Sequence, residues 1–131
     1  MDIITHKTIS TRLCGTPVSV ENGASRVSLE TDKEMAVDDF GLVHGGFVFG
    51  LADHAAMIAV NHPNVVLGAA GVKFLKPVRA GQTIIADAKV LDRQGRKQIV
   101  SVDVLSGDDT VFSGEFTCFT LDNHVLAPSG S

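Results

Sequence analysis

No tryptophan, no tyrosine and no run of lysine or arginine longer than two residues occurs in this sequence. Without the aromatic pair and with 44% hydrophobic residues, the interior has to be built on aliphatic packing, as in an ordinary globular chain. A net charge of −4 and the missing basic runs remove the phosphate attraction that nucleic-acid binding needs. The two cysteines, Cys14 and Cys118, lie far apart with no CxxC spacing. They read as small buried hydrophobes in a reducing compartment rather than as a disulfide or metal framework. No apolar run approaches the roughly 20 residues of a membrane span, and the first residues, MDIITHKTIS, lack the basic and apolar regions of a secretion signal. A soluble, cytoplasmic protein with no membrane or nucleic-acid partner is expected. HExxH, GxSxG and P-loop motifs are absent too, which argues against a zinc protease, a serine-hydrolase elbow and a nucleotide site, and no metal site is expected.

At 131 residues the chain is expected to form one domain, 1–131, with residues 127–131 as a loose tail. Val18 and Val20, then Val27 and Leu29, alternate with polar residues around Glu21-Asn22-Gly23-Ala24, the pattern of a hairpin from Thr16 to Thr31. From His44 to Asn61 the apolar residues are nearly continuous and rich in alanine, too long for a strand, so a buried helix is expected. After Pro63 come four candidate strands, Val65 to Leu75, Gln82 to Leu91, Lys97 to Leu105 and Thr110 to Leu121, separated by proline and glycine punctuation. Helix and strands are segregated rather than alternating, which predicts an α+β fold with one helix on an antiparallel sheet.

The stretch HGGFVFGLAD, residues 44–53, ends on a carboxylate among apolar neighbours. In a helix, Gly46, Gly50, Asp53 and Met57 fall along one side, and two glycines there imply a close approach to the backbone. At the helix start, Gly45 and Gly46 leave N–H groups open, backed by the positive end of the dipole, a candidate hole for an oxyanion. Asp53 is then a general base for water, a nucleophile, or a structural hydrogen-bond acceptor. Eight helical residues rise about 12 Å, so Gly45 and Asp53 can meet one carbonyl only if they come from two subunits. A composite site in a homodimer follows.

The string GLVHGGFVFGLADHAAMIAVN resembles the signature of hotdog-fold acyl-CoA thioesterases of the PaaI-like type, and GVKFLKPVRAGQTIIADAKVLDRQGRKQIVSVDV extends the likeness over roughly 100 residues. The resemblance implies a curved antiparallel sheet wrapped around one long central helix, paired into dimers and commonly tetramers. It implies hydrolysis of an acyl-CoA thioester without a cofactor, coenzyme A entering only as part of the substrate. Gly45 matches the residue whose N–H polarises the thioester carbonyl, and Asp53 the carboxylate that attacks or activates water from the other subunit. Two positions depart from the pattern. Asp38 stands where relatives often have asparagine, and VVLGAAG offers no hydroxyl where many place Ser or Thr. A carboxylate at 38 is expected to raise the pKa of Asp53 by repulsion or to hold the water itself.

Around this pair the sequence offers further contacts. His44 is a helix-entry residue that can also touch substrate, while His54 turns to another face and is expected to pack, and His62 answers the helix dipole. Lys76 and Arg79 flank Pro77 and are chosen for the phosphates of coenzyme A. Phe40, Phe47, Phe49, Met57 and Phe74 are candidates for the acyl pocket, each equally suited to the core. The segment GRKQIVSVDVLSGDDTVFSGEFTCF also looks like the hotdog effector domains of some lipid-synthesis regulators, so a binding or sensing module without turnover is the competing reading. A hydratase lacks a convincing acid/base pair here.

Overall fold

The computed structural model describes residues 1–128; of the expected tail, residues 129–131 lie outside the described residues. A short helix α1 (Thr11–Cys14) precedes the hairpin β1 (Thr16–Glu21) and β2 (Ala24–Glu30). A 3-10 turn (Lys33–Met35) leads to helix α2 (Gly45–Val60), followed by β3 (Val65–Phe74), β4 (Thr83–Gln94), β5 (Lys97–Ser106) and β6 (Asp109–Thr120). The six strands form one antiparallel sheet in the order β1-β2-β4-β5-β6-β3.

The expected hairpin turns at Asn22-Gly23, where Gly23 takes φ +80° that a side chain would strain. Helix α2 begins one residue inside the expected start because His44 serves as its N-cap, and it ends at Asn61, a left-handed C-cap with φ 51°. Strand β4 runs three residues past Leu91, across a bulge between Val90 and Asp92, because Arg93 and Gln94 still pair with Gln98 and Lys97. Helix α1, which no apolar period announced, is capped by the Ser10 hydroxyl accepting from the Leu13 N–H.

Alternate strand residues turn to one face. Val27, Leu29, Ile84, Val100, Val102, Val104, Phe112 and Phe116 are buried there together with Leu51, Ala52, Ala55, Ala56 and Met57 of α2. The helix touches all six strands, and its alanines let its backbone sit close to the sheet. The Ser25 hydroxyl on β2 donates to the Ala55 carbonyl at 2.7 Å, fixing helix to sheet by a buried bond.

On the helix's far side the N-terminal segment is tied down. His54, 1% exposed, contacts the Cys14 carbonyl through Nδ1 at 3.0 Å, and its ring stacks on His6 with centroids 6.2 Å apart. Since a carbonyl only accepts, Nδ1 of His54 carries the hydrogen. Burial lowers the pKa of both imidazoles, which keeps them neutral in the stack. The Asn61 side chain accepts from Ile4 N–H at 2.9 Å and donates to the Asp2 carbonyl at 2.8 Å. His54 therefore packs as expected. His62 instead accepts the Asn64 N–H through Nδ1 at 3.0 Å, shaping the turn after the helix rather than answering its dipole.

Gly15 joins α1 to β1 at φ +94°, and a Cβ there would lie 2.7 Å from Leu51 Cδ1, 2.8 Å from Val27 Cγ1 and 3.0 Å from the Ser28 carbonyl. Gly15→Ala combines backbone strain with a core clash. It should destabilise the protein by about 2–4 kcal/mol, read as a lowered denaturant midpoint at unchanged slope. An unchanged midpoint would mean that the α1 junction contributes little to the fold.

Candidate active site

The first turn of α2 holds its N–H groups in distinct ways. His44 donates its own N–H to the Met35 carbonyl at 2.9 Å, and Phe47 donates to the His44 carbonyl at 3.0 Å. Gly46 donates to His44 Nδ1 at 2.8 Å. Only the Gly45 N–H of this turn has no acceptor among the described residues. His44 thus works as a cap, and its capping nitrogen is occupied; its ring also lies edge-on to Phe47, 6.3 Å between centroids. Of the two glycines, Gly45 is the one with an available donor.

Gly45 opens into a cleft of about 340 Å³ walled by Leu42, Val48, Phe74, Pro77, Val78 and Val111. A Cβ on Gly45 would sit 3.1 Å from Phe74 Cε1, so glycine is what lets that ring lie against the helix terminus. Phe74 is half-exposed and rests edge-on upon Phe112 at 5.1 Å, which in turn belongs to a cluster with Phe49 and Phe116. Phe74 is therefore both cleft wall and core contact, as the sequence left open. Met57, at 1% exposure, lies wholly in the core. Its expected place in the acyl pocket is corrected, because the helix turns that position onto the sheet.

Asp53 follows two turns later and is partly covered. Its Oδ1 is buried and takes no hydrogen bond among the described residues. A structural carboxylate would be met by donors. Burial pushes the Asp53 pKa up, favouring the protonated acid relative to water. The charge of Asp53 reaches both cysteines: burial first and this charge second raise the Cys14 thiol and push Cys118 up to about 12. Both thiols are free, and Cys118 is buried as expected.

Asp38 does not act on Asp53 as the sequence led one to expect. The cause of the raised Asp53 pKa is burial, not a neighbouring carboxylate. Asp38 Oδ1 accepts the N–H groups of Phe40 at 3.0 Å and Leu42 at 3.2 Å, an Asx-type turn that sets the loop before α2. Lys76 is held by Asp109 at 2.9 Å, while the Arg79 guanidinium makes no hydrogen bond or ion pair among the described residues. Sequence reading missed the walls Leu42, Val78 and Val111. Their signal was available in the Pro77 and Gly81 turn, which folds the end of β3 back beside the helix entry.

Comparison with known proteins places this geometry in context. The profile of the family described as "Thioesterase superfamily" matches residues 40–113, from the loop before α2 into β6. A protein of Aquifex aeolicus (strain VF5) named methylthioribose-1-phosphate isomerase is 54% identical over 123 residues, 93% of this chain but 27% of that protein. The transcription factor FapR of Thermoanaerobacter sp. (strain X514) is 27% identical over 117 residues, 88% of this chain and 58% of that protein. The chain thus spans 27% and 58% of the lengths of these relatives. Among solved structures, the uncharacterized protein PH1136 from Pyrococcus horikoshii superposes with a TM-score of 0.96 at 50% identity, covering 97% of this chain and 98% of that one. A mutant of the phenylacetic acid degradation protein PaaI from Thermus thermophilus superposes at 0.77 with 27% identity, covering 83% and 95%.

Because the folded chain holds the Asp53 proton more tightly than the unfolded one, the stability it contributes is present at low pH. That contribution is lost as pH rises from the ordinary 3.8 through the raised folded value. Asp53→Asn should therefore raise Tm at pH 7, with the gain shrinking as pH falls toward 3.8. Melting curves across this range test it, and a variant less stable than wild type at pH 7 would show that the carboxylate has a donor in solution.

Proposed function

Because the chain belongs to the thioesterase superfamily, with hotdog-fold PaaI proteins among its structural neighbours, we propose that it hydrolyses acyl-CoA thioesters at a site shared by two subunits. The observation that carries this reading is the buried, unpartnered Oδ1 of Asp53. The Gly45 N–H donates to the thioester carbonyl oxygen and stabilises the charge that grows on it. Asp53 of the other subunit takes a proton from water as the water oxygen bonds to the carbonyl carbon. Collapse of the tetrahedral intermediate breaks the carbon–sulfur bond, and the leaving thiolate takes up a proton to give free thiol and acid. In the nucleophilic variant, Asp53 itself attacks and water then cleaves the acyl-aspartyl anhydride. Neither route requires a cofactor, and the substrate is drawn from a cytoplasmic pool.

Sharing between subunits is supported by three features. The helical rise keeps Gly45 and Asp53 of one chain about 12 Å apart along the axis. The face at Gly50 is open, since a Cβ there would meet nothing within 4 Å. Strand β3 ends the sheet with ten residues and no proline, whereas the other edge, β1, carries Pro17 and a register shift between Pro17 and Ser19. Pairing through β3 gives the dimer in this reading, and dimers associate further into a tetramer.

The likeness to FapR favours a second reading, an acyl-CoA-binding module without turnover. Thiol release from short, aryl and long-chain acyl-CoA separates the two. Asp53→Asn should lower kcat by a factor on the order of 10²–10⁴. Gly45→Pro removes the donor at a position where proline suits a helix, if Phe74 yields by a few tenths of an ångström. It should lower the rate by about 10²–10³. Mixed dimers of the two variants contain one intact composite site and should regain activity that neither homodimer has. A mixture as inactive as its parents would place both groups in one subunit, and thioester binding without any thiol release would establish the sensing module.

A further inference from the structure

A second cleft of about 340 Å³, lined by Phe40, Gly41, Arg79 and Gln82, shares the walls Leu42, Pro77 and Val78 with the cleft at Gly45. The two form one trough on either side of the same three residues. Three residues separate Leu42 from Gly45, at most about 11 Å of chain, and Arg79 is the bridge partner of Leu42.

The outer half of this trough differs in chemistry from the inner half. Phe40 is 87% exposed, a phenyl ring left in solvent beside an unpaired guanidinium. Lys76, the other cation nearby, is already neutralised by Asp109. The backbone that presents these groups is held on both sides. Val43 donates to the Val78 carbonyl at 2.9 Å and Ala80 to the Gly41 carbonyl at 2.7 Å, while Asp38 fixes the loop through the Phe40 and Leu42 N–H groups. Arg79 N–H donates to Gln82 Oε1 at 2.9 Å, which ties the far wall as well. A planar hydrophobic ring and a free guanidinium on a braced frame match a ligand that carries a flat base and a phosphate together.

We propose that the Phe40–Arg79 cleft binds the phosphorylated adenosine of the coenzyme A carrier, with Arg79 on a phosphate and Phe40 against the adenine. Asp38 is then a positioning residue for Phe40, a role that accounts for its carboxylate without any part in handling water. This rests on the thioesterase reading for the identity of the substrate, but not for its test.

Calorimetric titration with adenosine 3′,5′-bisphosphate, which has no thioester, reads the cleft directly. Wild type should bind it, and Arg79→Gln and Phe40→Ala should each weaken binding about tenfold or more. Asp53→Asn, remote from the cleft, should bind it as wild type does. A parallel arm compares acetyl, hexanoyl and benzoyl groups carried by coenzyme A and by N-acetylcysteamine, which ends before the nucleotide. The ratio of kcat/KM for the long carrier over the short one should fall at least tenfold in Arg79→Gln, through KM. Failure of wild type to bind the bisphosphate, or equal binding by both variants, overturns the proposal. So does an unchanged carrier ratio, which would direct Arg79 to the acyl end instead. If no thioester is cleaved yet bisphosphate binding falls in the variants, the cleft assignment stands and the hydrolase reading fails.

Discussion

The approach of α2 to the sheet sets the position of everything else. Ala52, Ala55, Ala56 and Ala59 are all at 1% exposure or less, and their small side chains let a helix backbone lie close over β2, β4 and β5. A helix seated so deeply is apolar on most sides, and it has few positions at which a carboxylate can survive. Asp53 occupies one of them, at the margin where cover is incomplete. Its neighbour His54 points the other way and is satisfied by the Cys14 carbonyl. Two adjacent polar residues thus meet opposite fates, one with its hydrogen bond and one without, and that contrast isolates Asp53 as the group held ready for something outside the chain.

The element order was legible because each boundary has a local cause. Asn22-Gly23, Pro63, Gly95 and Gly107 punctuate the chain where strands and helix stop, and alternation of valines marks the face that turns inward. Helix α2 was legible from composition alone, as was its burial. Helix α1 was not, since a single capped turn has no period to read. The extra length of β4 was hidden because polar Arg93 and Gln94 sit in a strand by pairing, not by burial.

At the site, the sequence placed the right residue types but not their commitments. That Gly45 rather than Gly46 keeps its N–H depends on which nitrogen of His44 turns back onto the helix. Asp38 was recognisable as a departure from a family pattern, yet its use as a loop brace follows from backbone N–H groups at 40 and 42, which no residue pattern displays. Met57 shared the Asp53 stripe by spacing and was lost to the core because a helix this deep turns most of its surface to the sheet. Lys76 and Arg79 looked equivalent along the chain, and only the position of Asp109 across the β3–β6 end separates a paired cation from a free one.

The unlike edges of the sheet bear on how far assembly can proceed. Strand β1 carries a proline and an irregular register, while β3 offers a plain row of backbone groups. Two chains joined along β3 would bring β1 to both outer ends, where a missing amide hydrogen and a broken spacing refuse another strand. Growth of the sheet would then stop by itself after one addition. The same hydrogen-bonding tendency that draws copies together is kept from running on into a fibre.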